Sequence, residues 1–244
     1  MPSTIPLSKT IEYVKRFNYN SPLLFTNSGT LAFSIADDVR QFILSPPFCW
    51  RWNRGTVAPI TCQAGQTDYQ VNLPDFGWIE RAWITFPSTG IDPNQPLPTK
   101  ELTVNSTLAQ ETVQGQPAFI SALMDDNNGN ITFRLMGTPD DEYILNIIYQ
   151  KVPPNFSSVN DTWYPIPDYL SYLCQAGMLA KMYEYKGDER LGFSWQQFLK
   201  QVVAASDGLT EAEKNIFLEP RIAAAREQGA LQTSQQARAG RGGA

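Results

Sequence analysis

Two proline-marked breaks constrain the fold of this 244-residue chain more than any other feature. Ser45-Pro46-Pro47 is the first and Pro165-Ile166-Pro167 the second. Proline cannot donate a backbone hydrogen bond and biases the preceding residue toward extended backbone, so each break ends the element before it. Outside the breaks, apolar residues recur at helical spacing. Between them, short runs rich in Val, Ile, Thr, Tyr and Phe alternate with turn formers. A chain divided this way predicts an α+β fold: a discontinuous helical bundle of N- and C-terminal helices with an inserted antiparallel β-sandwich or barrel. The expected boundaries are a first helical part over 1–55, a β-domain over 56–163, a second helical part over 164–229 and an extended tail over 230–244.

In the first part, residues 30–44 place Leu31, Ile35, Val39, Phe42 and Ile43 near one helical face. Asp37, Asp38, Arg40 and Gln41 fall on the other side, which reads as solvent-facing. After the first break, Trp50 and Trp52 alternate with Arg51 and Asn53 as on a half-buried extended segment, and the indoles read as packing residues.

The middle region offers seven strand-like runs: 56–61, 68–73, 78–86, 102–108, 118–124, 131–135 and 143–151. Asp125-Asp-Asn-Asn-Gly-Asn130 reads as a tight hairpin turn, because Asn and Gly accept positive φ. It is not a calcium loop: an EF-hand would need Asp where Met124 stands. Residues 87–98 carry four prolines and read as a stiff exposed excursion.

Past the second break, Asp168 is a candidate helix N-cap. Leu170, Leu173, Gly177, Ala180 and Tyr183 then recur three or four apart, up to Gly187 as the C-terminal glycine. A second helix carries Leu191, Trp195, Phe198, Leu199 and Val202. Thr210-Glu-Ala-Glu213 is a capping box opening a third, which Pro220 is expected to kink or divide. Residues 230–244 hold one bulky apolar side chain, Leu231, and cannot bury enough surface to fold alone; a partner is expected to order them.

The chemistry is marked by absences. With no histidine, Ser-His-Asp, Cys-His and His-metal sites are excluded. Cys49, Cys62 and Cys174 lack CxxC spacing and read as buried thiols in a reducing compartment. No secretory signal or long apolar run is apparent, so no membrane contact is expected, and the three sequon matches at Asn105, Asn155 and Asn160 are taken as chance. A net charge of −5 argues against a general duplex-DNA binder. No phosphate-binding loop occurs. The acid pairs Asp37/Asp38, Asp125/Asp126, Asp140/Asp141 with Glu142, and Asp188/Glu189 sit where turns and helix ends ordinarily carry acids. The expectation is a non-enzyme without cofactor or metal.

Several segments together resemble the head-to-tail connector, or neck adaptor, proteins of tailed bacteriophages, including the tail tubular proteins of short-tailed phages. They are Ile35-Ala-Asp-Asp-Val-Arg-Gln-Phe-Ile-Leu44, Pro47-Phe-Cys-Trp-Arg-Trp-Asn-Arg54, Phe76-Gly-Trp-Ile-Glu-Arg-Ala-Trp83, Phe133-Arg-Leu-Met136, Tyr149-Gln-Lys-Val-Pro-Pro154 and Trp163-Tyr-Pro-Ile-Pro-Asp168. The helix between Gly177 and Gly187, running into Asp188-Glu189-Arg190, completes the set.

The resemblance implies a structural virion protein, made in the host bacterial cytoplasm. Its copies, about twelve in a closed ring, would dock beneath the portal protein, extend the DNA channel without sequence-specific binding, and present the surface to which tail or nozzle proteins attach. The C-terminal segment would grip the portal. For portal contact the candidates are Arg221, Arg226, Arg238 and Arg241, whose forks suit carboxylates, with Leu231 as an apolar anchor. For the ring or tail interface they are Arg51, Arg54, Pro93 and Pro96. Competing readings are a tail-completion or stopper ring, a host-surface glycan-binding β-module displaying Trp78 and Trp83, and a peptidoglycan-cutting neck protein using two of the acids.

Overall fold

Helical spacing becomes helix at four of the expected places. In the computed structural model, which describes residues 3–17, 30–86, 95–99, 114–124, 128–206, 209–224 and 227, the helices are α1 (Leu7–Arg16), α2 (Thr30–Leu44), α3 (Ser171–Lys186), α4 (Leu191–Ala205) and α5 (residues 211–224). The chain divides into two compact units, one of Met1–Trp52 with Pro154–Ala244 and one of Asn53–Pro153.

In the helical unit, α3 is the central element, packed against α1, α2 and α4. Gly177 lets α2 and α4 approach it: a Cβ there would lie 2.5 Å from Val39 Cγ1 and 2.9 Å from the Phe198 ring. Gly187 ends α3 at φ +65°, where a side chain would be strained; its N–H and that of Asp188 bond back to the carbonyls of Glu184 and Tyr183. The capping box at α5 forms as expected, with Glu213 accepting the Thr210 N–H at 2.8 Å. That helix runs through Pro220 without being divided there.

Three expectations in this unit are corrected. Asp37 and Arg40 do not face solvent: they are 8% and 4% exposed. The chain returning at Pro154–Phe156 covers that side of α2. Arg40 Nη2 donates to Asp37 Oδ1 at 2.8 Å and to the Pro154 carbonyl at 2.6 Å, and its guanidinium lies 3.8 Å from the Phe156 ring centroid. Asp37 accepts the Phe156 N–H at 3.0 Å. Burial lowers the Arg40 pKa from its ordinary value, against the opposing pull of the Asp37 carboxylate.

Asp168 likewise does not cap its own helix. It begins a short 3-10 turn, and its carboxylate accepts hydrogen bonds from Ser3, Thr4 and Ile5, clasping the N-terminal segment. Finally, residues 51–53 form a 3-10 turn rather than an extended run. Trp50 is buried, with its indole N–H on the Ile43 carbonyl at 2.7 Å, and Trp52 stacks beside it at 5.2 Å.

The β-unit holds β1 (Arg54–Thr56), β2 (Ile60–Cys62), β3 (Asp68–Asn72), β4 (Phe76–Thr85), β5 (Gln95–Pro96), β6 (Phe119–Met124), β7 (Asn130–Met136) and β8 (Tyr143–Lys151). One antiparallel sheet runs β1-β8-β4-β5, with β2 also on β8; the other runs β3-β7-β6. Alternating residues of both sheets, among them Phe76, Ile84 and Leu145 with Ile131 and Phe133, close one core, and Phe76 meets Phe133 edge-on at 5.7 Å.

The expected single strand over 56–61 is two strands, because Pro59 interrupts the donor ladder. The expected strand over 102–108 lies outside the described residues. Gly129 adopts φ +85° before β7, the backbone the hairpin reading required.

The unit boundaries fall at 53 and 153, whereas the sequence reading drew them at 56 and 163. Residues 154–163 join the helical unit because Phe156 and Trp163 enter its core. Trp163 stacks edge-on against Phe156 at 5.1 Å and donates its indole N–H to Thr10 at 2.8 Å.

Candidate functional site

A reactive centre would need an activated group, and several of the acids and thiols that the sequence singles out are engaged or suppressed. Asp188 holds Arg190 through two hydrogen bonds, 2.8 and 2.6 Å, while the Arg190 guanidinium lies over Tyr183. The pair keeps Asp188 below its usual carboxylate value and Arg190 above its own. Asp140 accepts from the Tyr143 hydroxyl, and Asp37 is committed to Arg40. Burial pushes the Cys174 thiol up and the Cys62 thiol up to about 11, so neither supplies thiolate near neutrality. Cys49 is half-buried rather than buried. Among the described residues no group of three or more acids or thiols is placed to hold a metal ion, and no helix is long and apolar enough to cross a membrane.

What the structure does present is an unevenly distributed surface. Among the described residues, each exposed large apolar side chain belongs to the helical unit. Ile216 on α5 is 73% exposed, Tyr169 before α3 69%, Phe193 on α4 66% and Tyr185 at the end of α3 62%. The fold explains how they are held out. Phe193 lies off the buried stripe of Leu191, Phe198, Leu199 and Val202, and Ile216 points away from Phe217, which packs edge-on against Phe48 at 4.9 Å. Tyr185 and Phe193 flank the tight Gly187–Arg190 turn. Trp78 and Trp83 in the β-unit are half-buried rather than displayed as platforms.

The sequence-nominated contact residues separate. Arg221 is exposed on α5, its guanidinium stacked 3.7 Å over Phe217 and donating to the Phe217 carbonyl. Arg51 is exposed on the helical unit and Pro96 on the edge strand β5, where it pairs with Trp83. Arg54 on β1 reaches across β8 and forks onto Glu80 of β4, with Nε to Oε2 at 2.8 Å. Pro93, Arg226, Leu231, Arg238 and Arg241 lie outside the described residues, as does the tail over 230–244.

The residues that sequence reasoning missed are the exposed ones: Tyr169, Tyr185, Phe193 and Ile216. The available signal was an apolar residue standing outside the apolar stripe of its own helix, as Phe193 does. An arrangement of displayed aromatic and aliphatic side chains on one unit suits binding to other proteins.

The sequence profile of a family described as SU10 adaptor protein matches residues 35–226. No curated protein matches the chain.

Proposed function

The chain belongs to the SU10 adaptor protein family, and from that premise we propose that its copies dock directly on the portal protein as a ring of about twelve. The structural head-to-tail adaptor role, a place in the virion, and association with portal or tail components and with further copies follow from the family itself. The reading adds that the ring sits at the neck, continues the channel through which DNA passes, and offers tail or nozzle proteins their attachment surface. It also adds that the protein is made in the host bacterial cytoplasm and joins the particle afterwards.

One observation carries this reading. The family match runs from α2 through the whole β-unit and back through α3, α4 and α5, so the inserted architecture, not one module of it, is what the family holds in common.

Arg221 on α5, with Arg226, Leu231, Arg238 and Arg241 later in the sequence, are proposed to meet portal carboxylates and an apolar portal pocket. Arg51, Pro93 and Pro96 are proposed for the ring or tail interface. Arg54 joins them by exchanging Glu80 for a neighbour's carboxylate. Residues 230–244 are proposed to order on the portal, a cost that weakens each single docking event and leaves ring avidity to secure the collar.

Mixing the protein with the portal protein of the same phage and weighing the product by native mass spectrometry tests the reading. About one bound copy per portal subunit is expected. A portal that stays bare in the presence of folded protein would transfer the role to a stopper or tail ring. Deleting 230–244 is expected to leave a folded chain that no longer joins the portal; unchanged loading by that truncation contradicts the gripping role.

A further inference from the structure

We infer that copies of this chain join each other heterologously, the end of α1 on one copy against the outer face of α5 on the next. This inference rests on the self-association that the adaptor reading includes, and it names the two surfaces. At the end of α1, Lys15, Arg16 and Phe17 are exposed, Phe17 at 44%, with its ring steadied by Tyr13 at 5.1 Å. On the same helix the exposed charges Lys9 and Glu12 cancel, so the end is positive. Neither Lys15 nor Arg16 has a carboxylate partner among the described residues.

The outer face of α5 is the counterpart. Ile216 and Glu219 stand out into solvent there, and Glu213 projects from the first turn, held by Thr210. Lys214 on that helix is already paired with Glu211 at 2.9 Å, which leaves Glu219 unanswered. The exposed cation of α5, Arg221, is drawn over Phe217, off the Ile216–Glu219 side, so each surface combines one exposed apolar side chain with charge of one sign, and the signs are opposite. Helix dipoles account for cations in the last turn of α1 and acids in the first turn of α5, but Glu219 lies beyond that first turn.

A surface that is positive with an apolar centre cannot pair with itself. It pairs with the other surface, and repetition of one head-to-tail contact closes a ring when the rotation permits. The patches are small, so the contact is weak in solution and gains strength when a template holds neighbours side by side. Opposite charges at the rim fix the register and repel the wrong pairing.

The test uses the full chain with two readouts. In the first, Phe17→Cys and Ile216→Cys are placed in one chain and treated with a short bismaleimide at high protein concentration without portal. A ladder of covalently linked copies, missing from the unsubstituted chain with its native cysteines, is expected; monomer alone overturns the inference.

In the second, portal loading is followed for Lys15→Glu/Arg16→Glu, for Glu219→Lys, and for all three together. Each of the first two is expected to raise the concentration for half-loading about tenfold, and the combined variant to recover most of it. Loading equal to wild type in both, or no recovery in the combined variant, overturns the inference while leaving portal docking intact. A Phe17→Cys/Ile216→Cys chain that ladders, with the wild-type chain leaving the portal bare, would instead sink the portal reading and leave this contact standing. All substituted positions are exposed, and the far-UV circular dichroism of each variant checks that it is folded.

Discussion

The two units of this chain solve the same packing problem with opposite surfaces. In the β-unit, alternation along β4, β7 and β8 sends the large apolar side chains between two sheets, and none of the described ones is left exposed. In the helical unit, a core as well filled, around Trp50, Trp163 and Phe198, coexists with aromatic and aliphatic side chains held out into solvent. A sheet strand alternates strictly, so a residue pointing outward costs nothing to make polar. A helix has a wider free face, and side chains such as Phe193 and Ile216 occupy it without adding to the core. Exposure of that kind is a liability unless another surface covers it. The comparison makes the β-unit the more self-contained of the two, and the helical unit the one that holds the displayed apolar surface the proposed assembly would cover.

The comparison breaks most readily at Arg40. Replacing Arg40 with Ala leaves Asp37 buried without its partner and frees the Pro154–Phe156 return, and it is expected to destabilise the helical unit by about 3–5 kcal/mol. Phe133→Ala opens the sheet core by a comparable amount, about 3–5 kcal/mol. Denaturant unfolding followed by the helical far-UV signal and by the Trp78 and Trp83 resonances should show each substitution moving chiefly its own unit. Equal movement of both signals in both variants would mean that the units unfold together.

A smaller effect is expected at Gly177. Alanine there drives a methyl into Val39 and the Phe198 ring, and the helical unit is expected to lose about 1–3 kcal/mol. Calorimetry of the variant checks it.

Acid should separate the units as well. Hydrogen bonds from Thr4 to Asp168, from the Ser157 and Ser158 N–H groups to Asp161, from Arg190 to Asp188 and from Thr210 to Glu213 hold all four carboxylates below their ordinary values. A folded-state value below the unfolded one gives stability that is present above the ordinary carboxylate value and is lost as pH falls through the folded one. All four belong to the helical unit, so lowering the pH below about 4 should melt helix signal before sheet signal. Alkali offers no such separation. Burial raises Cys62 in the β-unit, from 9.0 to about 11, and also Cys174 and Tyr183 in the helical unit, so both lose stability as pH rises through those values.

The least effect on the fold is expected from Tyr169→Ser or Phe193→Ser, within about 0.5 kcal/mol, although both remove displayed surface. A sizeable loss of stability in either would show that these side chains serve the fold rather than a neighbour.

Much of the architecture was legible because local signals agreed with one another. The stripe on α2, the glycine after α3 and the capping box of α5 each specify an element from within a few residues, and the two proline breaks mark where the pattern changes. What escaped the sequence depends on distant chain. Asp37 and Arg40 read as outward until residues 154–156 return over them, and Asp168 reads as a cap until Ser3, Thr4 and Ile5 arrive at its carboxylate. Pro59 was visible, yet the Val, Ile and Thr around it read as one strand, and the structure splits the run while pairing both halves with β8. The contact surface was the least legible part. Charged candidates such as Arg54 proved to be paired within the fold, whereas Tyr169 and Ile216 read as ordinary members of helical segments.

Side-chain footprinting with hydroxyl radicals, comparing the free chain with the chain assembled on its portal, tests the central claim most directly. The account predicts strong protection on assembly at Tyr169, Tyr185, Phe193 and Ile216, with little change at Trp78, Tyr69 and Tyr143 in the β-unit. Protection confined to the β-unit, with the helical side chains as reactive as in the free chain, would contradict it.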